Sequence, residues 1–275
     1  MMTVGYVIAL LGTGLVTGFA GGLLGVGGGF IMTPVQYWVY TEMGLSSDVA
    51  IRLAFGTNLL VFLPLATNSA WGHQRREAVW WKAAMVLGSC GFIGALSGAT
   101  AAAHIPGSIL KIVFGAAVLA IAIRMLIALP SAVAEEPKDN AWLWVVWALP
   151  ASFVSALIGL GGGVLMVPIM VLAFKFKMHI AVGTSAAMMM VTSVGGIVGY
   201  MVNGLGVAGI PSPSVGYVYI WSWLCLATTS IVTVQLGVRT AHRLPAKHLR
   251  RIFAVIAIYI GLRMLGLFGW LGWPI

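Results

Sequence analysis

Gly25-Val26-Gly27-Gly28-Gly29-Phe30-Ile31-Met32-Thr33-Pro34 recurs in the second half of the chain as Gly159-Leu160-Gly161-Gly162-Gly163-Val164-Leu165-Met166-Val167-Pro168. A repeated block of this kind is the first sign to seek for an internally duplicated architecture. The match extends downstream. Ala54-Phe55-Gly56-Thr57-Asn58 answers Ala181-Val182-Gly183-Thr184-Ser185, and Ile105-Pro106, Leu110-Lys111 and Phe114 answer Leu244-Pro245, Leu249-Arg250 and Phe253. Arg124-Met125-Leu126 then answers Arg263-Met264-Leu265. Order is kept throughout, so the chain divides into one repeat at 1–129, a polar linker at 130–140 containing Glu135-Glu136-Pro137-Lys138, and a second repeat at 141–275.

The surroundings of the glycine blocks set the solvent. Of the 275 residues 60% are hydrophobic and 8% charged, which leaves too little polar surface for a water-soluble domain. Apolar runs lie roughly at 4–24, 29–40, 53–70, 78–99 and 109–129, and again at 141–158, 163–174, 180–202, 215–237 and 249–270. The absence of dyad alternation excludes an outer-membrane barrel. The expected class is an all-α polytopic membrane protein with about eight to ten membrane segments. The first run lacks the basic flank of a signal peptide, since no Lys or Arg precedes Arg52, and is read as part of the mature structure. Cys90 and Cys225 fall inside apolar runs and read as small packing residues.

The net charge of +9 does not mark a nucleic-acid partner, because the basic residues stand in short breaks between apolar runs. They report topology instead, since Lys and Arg collect in cytoplasmic loops. Arg75, Arg76 and Lys82 stand in a break whose counterpart, 203–216, has no charge. Arg239, Arg243, Lys247, Arg250 and Arg251 answer a first-half break that carries only Lys111, and Lys175 with Lys177 answers Glu42 with Asp48. One layout accommodates every loop: twelve cations inside, Arg52, Lys111 and Arg263 outside, the linker in the cytoplasm and both termini outside it. Each half then crosses an odd number of times, so the repeats are inverted in the membrane.

The apolar runs after the glycine blocks are about 12 residues long and reach only ~18 Å as helix, short of the ~30 Å hydrocarbon core. They are expected to be half-helices of a glycine-broken hairpin, with three spanning helices completing each half. Two tilted full crossings per block would leave the parity unchanged. Three successive glycines weaken a helix, and in lipid an unwound backbone is tolerated only against protein or a water-filled cavity. Bare N–H groups and the positive end of the following half-helix favour an anion there. Gly25, Gly27, Gly28 and Gly29, with Gly161, Gly162 and Gly163, are therefore candidate substrate-binding positions; tight packing through small residues is the alternative. A dinucleotide fingerprint lacks its preceding strand and its acidic residue.

Thr57, Asn58, Thr184 and Ser185 add uncharged donors in the next helix of each half, although a lone hydroxyl often bonds its own helix. Arg52 and His179 stand six positions before Asn58 and Ser185, at the outer and inner mouths, where they either draw an anion or anchor a helix end. Gln36 and Gln235 suit a cavity lining or a helix-to-helix bond equally. The tryptophans gather near segment ends, as at Trp80-Trp81 and Trp270, which fits interface belts.

All six acidic residues lie in loops or at helix ends, so no buried carboxylate relay, metal site or cofactor site is expected. An inside-negative potential expels each negative charge with ~2.3 kcal/mol per 100 mV, enough for export without a second ion. An intramembrane enzyme would need a nucleophile with an acid/base pair, and His73, His104, His179, His242 and His248 lack nearby carboxylates apart from Glu77 beside His73.

The paired glycine blocks ending in Pro34 and Pro168, with Gly56-Thr57-Asn58 and Gly183-Thr184-Ser185 downstream, resemble the TauE/SafE family over essentially the whole chain. That resemblance implies a permease of the bacterial inner membrane moving a small sulfur-containing anion, sulfite or a short organosulfonate, by export. Thiosulfate or sulfate transport, and an anion channel of the same fold, are the alternatives. Differences between the blocks, Phe30 against Val164 and Asn58 against Ser185, imply a pseudo-symmetric cavity.

Overall fold

A computed structural model describes residues 3–25, 27–127, 139–241, 243, 254, 255 and 258–266. Most of the linker at 130–140, much of the run at 249–270, the Leu244-Pro245 block and Trp270 lie outside the described residues. The chain is helical: α1 (Val4–Leu24), α2 (Gly29–Glu42), α3 (Ser47–Gln74), α4 (Trp81–His104), α5 (Gly107–Ile127), α6 (Ala141–Leu157), α7 (Gly163–Leu172), α8 (Met178–Asn203) and α9 (Ile220–Ala241). A two-stranded antiparallel hairpin, β1 (Ser214–Val215) and β2 (Val218–Tyr219), leads into α9. Local sequence sets the starts of helices: Ser46 accepts from the Val49 N–H ahead of α3, and Asn140 accepts from Trp142 and Leu143 ahead of α6.

Five of these helices, α1, α3, α4, α8 and α9, are long and apolar enough to cross a bilayer, which makes the chain a multi-pass membrane protein. The two helices after the glycine blocks are not. With 14 residues in α2 and 10 in α7, they reach ~21 and ~15 Å. Tyr6 near the start of α1 meets Trp38 near the end of α2 edge-on at 6.0 Å, so this hairpin returns to the end it started from. Trp144 near the start of α6 likewise meets Phe176 just beyond α7 at 6.3 Å.

Contacts along the helices fix their directions. Gly56 lies against Tyr200, Leu59 against Gly196 and His73 against Gly183, so α3 and α8 run antiparallel through the centre. Gly14, Gly18 and Gly22 of α1 follow Leu226, Ser230 and Val234 of α9 in parallel, and Gly94 and Gly98 of α4 follow Leu149 and Phe153 of α6. Close approach demands glycine in these seams: a β-carbon on Gly18 would lie 2.2 Å from the Ser230 carbonyl oxygen, and one on Gly98 2.2 Å from that of Phe153. The pairing crosses the halves in a matched way, since the first helix of each repeat packs on the fourth element-forming helix of the other.

Charge is sorted by this arrangement. The C-termini of α3 and α9 and the N-termini of α4 and α8 gather at one end, where Gly72 meets Gln235 and Trp80 meets Thr184. Arg75, Arg76, Lys82, Lys175, Lys177 and Arg239 belong to that end, and Lys82 pairs with Asp139 there at 2.8 Å. The opposite end carries Glu42, Asp48, Arg52 and Lys111. At that end the half-buried Trp80 ring stacks on Phe176 at 4.9 Å and meets the fully buried Trp144 at 5.6 Å, whereas Trp81 is 42% exposed.

Candidate functional site

Both glycine blocks break the helix, and both do so with left-handed backbone. Gly25, Gly27 and Gly28 have φ of 66°, 75° and 73°, and Gly159, Gly161 and Gly162 have 63°, 67° and 90°. A side chain costs about 1–2 kcal/mol in that region, so glycine is what lets the chain turn back within a few residues. Gly28 and Gly162 are the N-caps of α2 and α7, and neither helix start receives a side-chain cap. Two sets of first-turn N–H groups therefore point out of short helices inside the protein.

The two breaks converge. A β-carbon on Gly29 would lie 3.2 Å from the Gly159 carbonyl oxygen. Gly27 and Gly161 both pack on Phe62 of α3 and Met189 of α8. Phe62 and Met189 occupy equivalent positions, each five residues past its threonine (57 to 62, 184 to 189). Both are buried, so they close the space between the breaks. The symmetry continues outward: Gly25 rests on Val182 and Gly159 on the equivalent Phe55.

Thr57 and Thr184 are buried, and their hydroxyls already serve the fold. Thr57 Oγ1 accepts from the Tyr219 N–H at 3.0 Å, and Thr184 Oγ1 accepts from the Trp80 N–H at 3.0 Å. Each threonine thus holds the entry to a helix of the other half. Ser185 Oγ donates to the Gly25 carbonyl at 3.2 Å, tying α8 directly to the first break. Asn58 is part of a buried chain: its amide donates to Thr33 Oγ1 at 2.8 Å, its carbonyl accepts from Gln36 Nε2, and Gln36 Oε1 accepts from Tyr40 at 2.9 Å. The second half has Val167, Met170 and Phe174 at the positions of Thr33, Gln36 and Tyr40, so this chain exists on one side only.

Sequence alone suits Gln36 to two roles equally; the structure makes it a bond between α2 and α3. The spacing of Thr33, Gln36 and Tyr40, which puts all three on one helix face, was the available signal. Replacing Asn58 by leucine should strand the Gln36 amide and the Thr33 hydroxyl at about 1–3 kcal/mol each. A fall in melting temperature of the detergent-purified protein is the expected result, and an unchanged value would show the chain to be dispensable. Gln235 also bonds between helices, donating to the Asn68 carbonyl at 2.7 Å.

The two mouth residues stand near the starts of α3 and α8. Arg52 is half-buried and donates to the Ala102 carbonyl at 3.3 Å and the Ile105 carbonyl at 2.8 Å, capping the end of α4. His179 is exposed in the first turn of α8. His73, in the last turn of α3, is buried, with Nε2 3.2 Å from the Gly22 carbonyl. Tyr200 stands at its equivalent position and donates to the Ala156 carbonyl at 3.1 Å, so each clamps the last turn before a break. A groove of about 570 Å³ between α3 and α9, lined by Leu60, Leu63, Trp71, Trp223 and neighbours, is apolar and lies away from the breaks. What the convergent breaks offer is a set of neutral hydrogen-bond donors and two positive helix ends, suited to an anion without a fixed countercharge.

Comparison with known proteins places the chain among membrane transporters. The family model described as Sulfite exporter TauE/SafE matches residues 10–264. A probable membrane transporter protein of Methanocaldococcus jannaschii is 30% identical, over 93% of this chain and 94% of the relative. Relatives with the same description are 25% identical in Haemophilus influenzae, over 94% of this chain and 98% of the relative, and in Bacillus subtilis (YunE), over 94% and 97%. No solved structure matches the chain.

Proposed function

The chain belongs to the sulfite exporter TauE/SafE family, and from that premise we propose that it is an inner-membrane permease exporting a small sulfur-containing anion, sulfite or a short organosulfonate. The observation that carries this reading is the meeting of two glycine-broken helix starts around Phe62 and Met189. Substrate is bound near Gly25, Gly27, Gly28 and Gly29 on one side and Gly161, Gly162 and Gly163 on the other. Ser185 braces the first break through the Gly25 carbonyl, and the hydroxyl and amide groups of Thr57, Asn58, Thr184 and Ser185 face the anion when the side chains between the breaks withdraw.

The repeats, 1–129 and 141–275 with a cytoplasmic linker at 130–140, are inverted. Support comes from the antiparallel run of α3 and α8: two equivalent helices that pass in opposite senses are related by an axis across them, in the membrane plane. The basic end of the bundle is then cytoplasmic and both chain termini lie outside. Transport proceeds by alternating access, each break opening to one side in turn. The buried Phe62 and Met189 favour this over an open channel.

Purified protein in proteoliposomes should carry sulfite or sulfoacetate with saturation and counterflow, and an inside-negative potential should drive efflux. Flux that rises linearly with concentration would identify a channel. Flux confined to thiosulfate or sulfate would replace the substrate, and flux of none of these anions would overturn the reading. Arg52 has a double part, holding α4 and placing a cation at the outer mouth. Arg52→Lys should keep anion uptake more sensitive to low than to physiological salt, where the screening length falls to about 8 Å. Arg52→Ala should lose both that salt dependence and several degrees of melting temperature; salt-independent uptake by wild-type protein would remove the steering role.

A further inference from the structure

Hydroxyls on these helices mostly bond their own helix, buried or exposed: Thr13, Thr17, Ser97, Thr100 and Thr228 each donate to the carbonyl four residues back. Ser152, Ser155 and Ser193 do not. They are 1%, 0% and 0% exposed and their hydroxyls have no hydrogen-bond partner. An unpaired hydroxyl in an apolar interior is costly and calls for an explanation. Ser69 and Ser222 are also unpaired, on α3 and α9, but these three stand on the helices that frame the second glycine break.

Their placement is specific. Ser152 and Ser155 are one turn apart on α6, and the Ser155 carbonyl accepts from Leu160 within the break at 2.8 Å. Gly91 of α4 lets Ser152 and Thr192 close in on one another: a β-carbon there would lie 2.7 Å from Ser152 Oγ and 2.4 Å from Thr192 Cγ2. Thr192 Oγ1 donates to the Gly161 carbonyl at 3.3 Å, and a β-carbon on Gly162, the N-cap of α7, would lie 3.4 Å from it. Ser193 follows Met189 by one turn along α8, and the Met189 sulfur lies 3.1 Å from the β-carbon position of Gly161. Aligned on the repeated motifs, the first half has Gly18, Gly21, Leu65 and Ala66 where the second has Ser152, Ser155, Thr192 and Ser193. The two breaks are alike in backbone and unlike in donors.

We infer that the anion's seat is one-sided, built on the second break from the hydroxyls of Ser152, Ser155, Thr192 and Ser193 and the first-turn N–H groups of α7. The ligand class is a compact oxyanion or sulfonate group, whose several oxygens accept from several neutral donors at once. Neutral donors leave the charge uncompensated, which suits a ligand that must be released. The first break is then the packing and closing partner. This assignment rests on the anion-permease reading above and narrows it to named side chains.

Single Ser152→Ala, Ser155→Ala and Ser193→Ala variants in proteoliposomes, assayed with sulfite, sulfoacetate and thiosulfate, test it. For the anion that wild-type protein carries, KM should rise about tenfold at Ser152 and Ser155, equivalent to about 1.4 kcal/mol of binding. Melting temperature should stay level or rise, because each change removes an unpaired buried hydroxyl. Ser97→Ala, which removes a self-bonded hydroxyl, should leave KM unchanged. If wild type transports and all three variants keep KM within about twofold, the one-sided seat is overturned and the permease reading stands. A higher KM that comes with a lower melting temperature makes these hydroxyls structural and also overturns it. Wild-type protein that carries none of the three anions overturns the permease reading and the seat with it.

Discussion

Gly162→Leu and Gly28→Leu should each abolish anion flux while the protein still inserts into the membrane. Insertion follows hydrophobicity, which leucine raises. Function follows the backbone. Gly162 and Gly28 sit at φ of 90° and 73°, where a β-carbon costs about 1–2 kcal/mol before any contact is counted. On Gly28 that carbon would lie 2.9 Å from the Thr17 carbonyl oxygen, a backbone atom of α1 that cannot step aside. On Gly162 it would lie 3.0 Å from Met188 Cε, which can yield, so the loss there comes from filling the space at the start of α7. Gly209 supplies the control. It also has positive φ, 83°, but no atom within 4 Å of a β-carbon, so Gly209→Ala should cost about 1 kcal/mol of strain and leave transport intact. Normal flux from both leucine variants, measured in proteoliposomes with matched protein content, would remove the breaks from the transport path.

Replacing Phe62 and Met189 together by alanine should turn a gated carrier into a leak. Phe62 touches Gly27, Gly29 and Gly161, and Met189 touches Gly27 and Gly161, so these two side chains are the material that separates the breaks. A buried Phe→Ala change alone costs about 3–5 kcal/mol, so the double variant should melt lower. The expected functional signature is separate from that loss: anion efflux that no longer saturates and counterflow that disappears. Phe62→Leu, which keeps most of the volume, should retain counterflow. Vesicles that stay tight with the double variant would place the seal elsewhere.

Much of this organisation can be read from the chain because lipid makes its demands uniform. Every spanning segment must be apolar and internally hydrogen-bonded, so the runs at 4–24, 53–70 and 180–202 correspond to α1, α3 and α8, and the glycine blocks had to interrupt helices. The sorting of Arg75, Arg76, Lys175 and Lys177 to one end also follows from sequence, since charge is confined to loops. Side-chain partners do not. Thr57 reads as a free donor until its hydroxyl is found accepting from Tyr219, 162 residues away. Phe62 and Met189 read as two more apolar residues in apolar helices; only packing shows that they oppose both breaks. Ser152 and Ser155 carry no repeat signal, because the first half has glycine at both places. Hydropathy reports that a residue is buried, and long-range geometry decides what it is buried against.

Inversion of the two halves is the claim on which the transport cycle depends, and site-specific labelling tests it most directly. In protein with Cys90 and Cys225 replaced by serine, Arg76→Cys marks the turn between α3 and α4, and Gly209→Cys marks the equivalent connection between α8 and α9; both positions are exposed. A membrane-impermeant maleimide applied to intact cells should label position 209 and reach position 76 only after permeabilisation. Labelling of both from the same side would mean parallel repeats and would contradict the account; labelling of 76 alone from outside would preserve inversion and reverse the orientation drawn from charge.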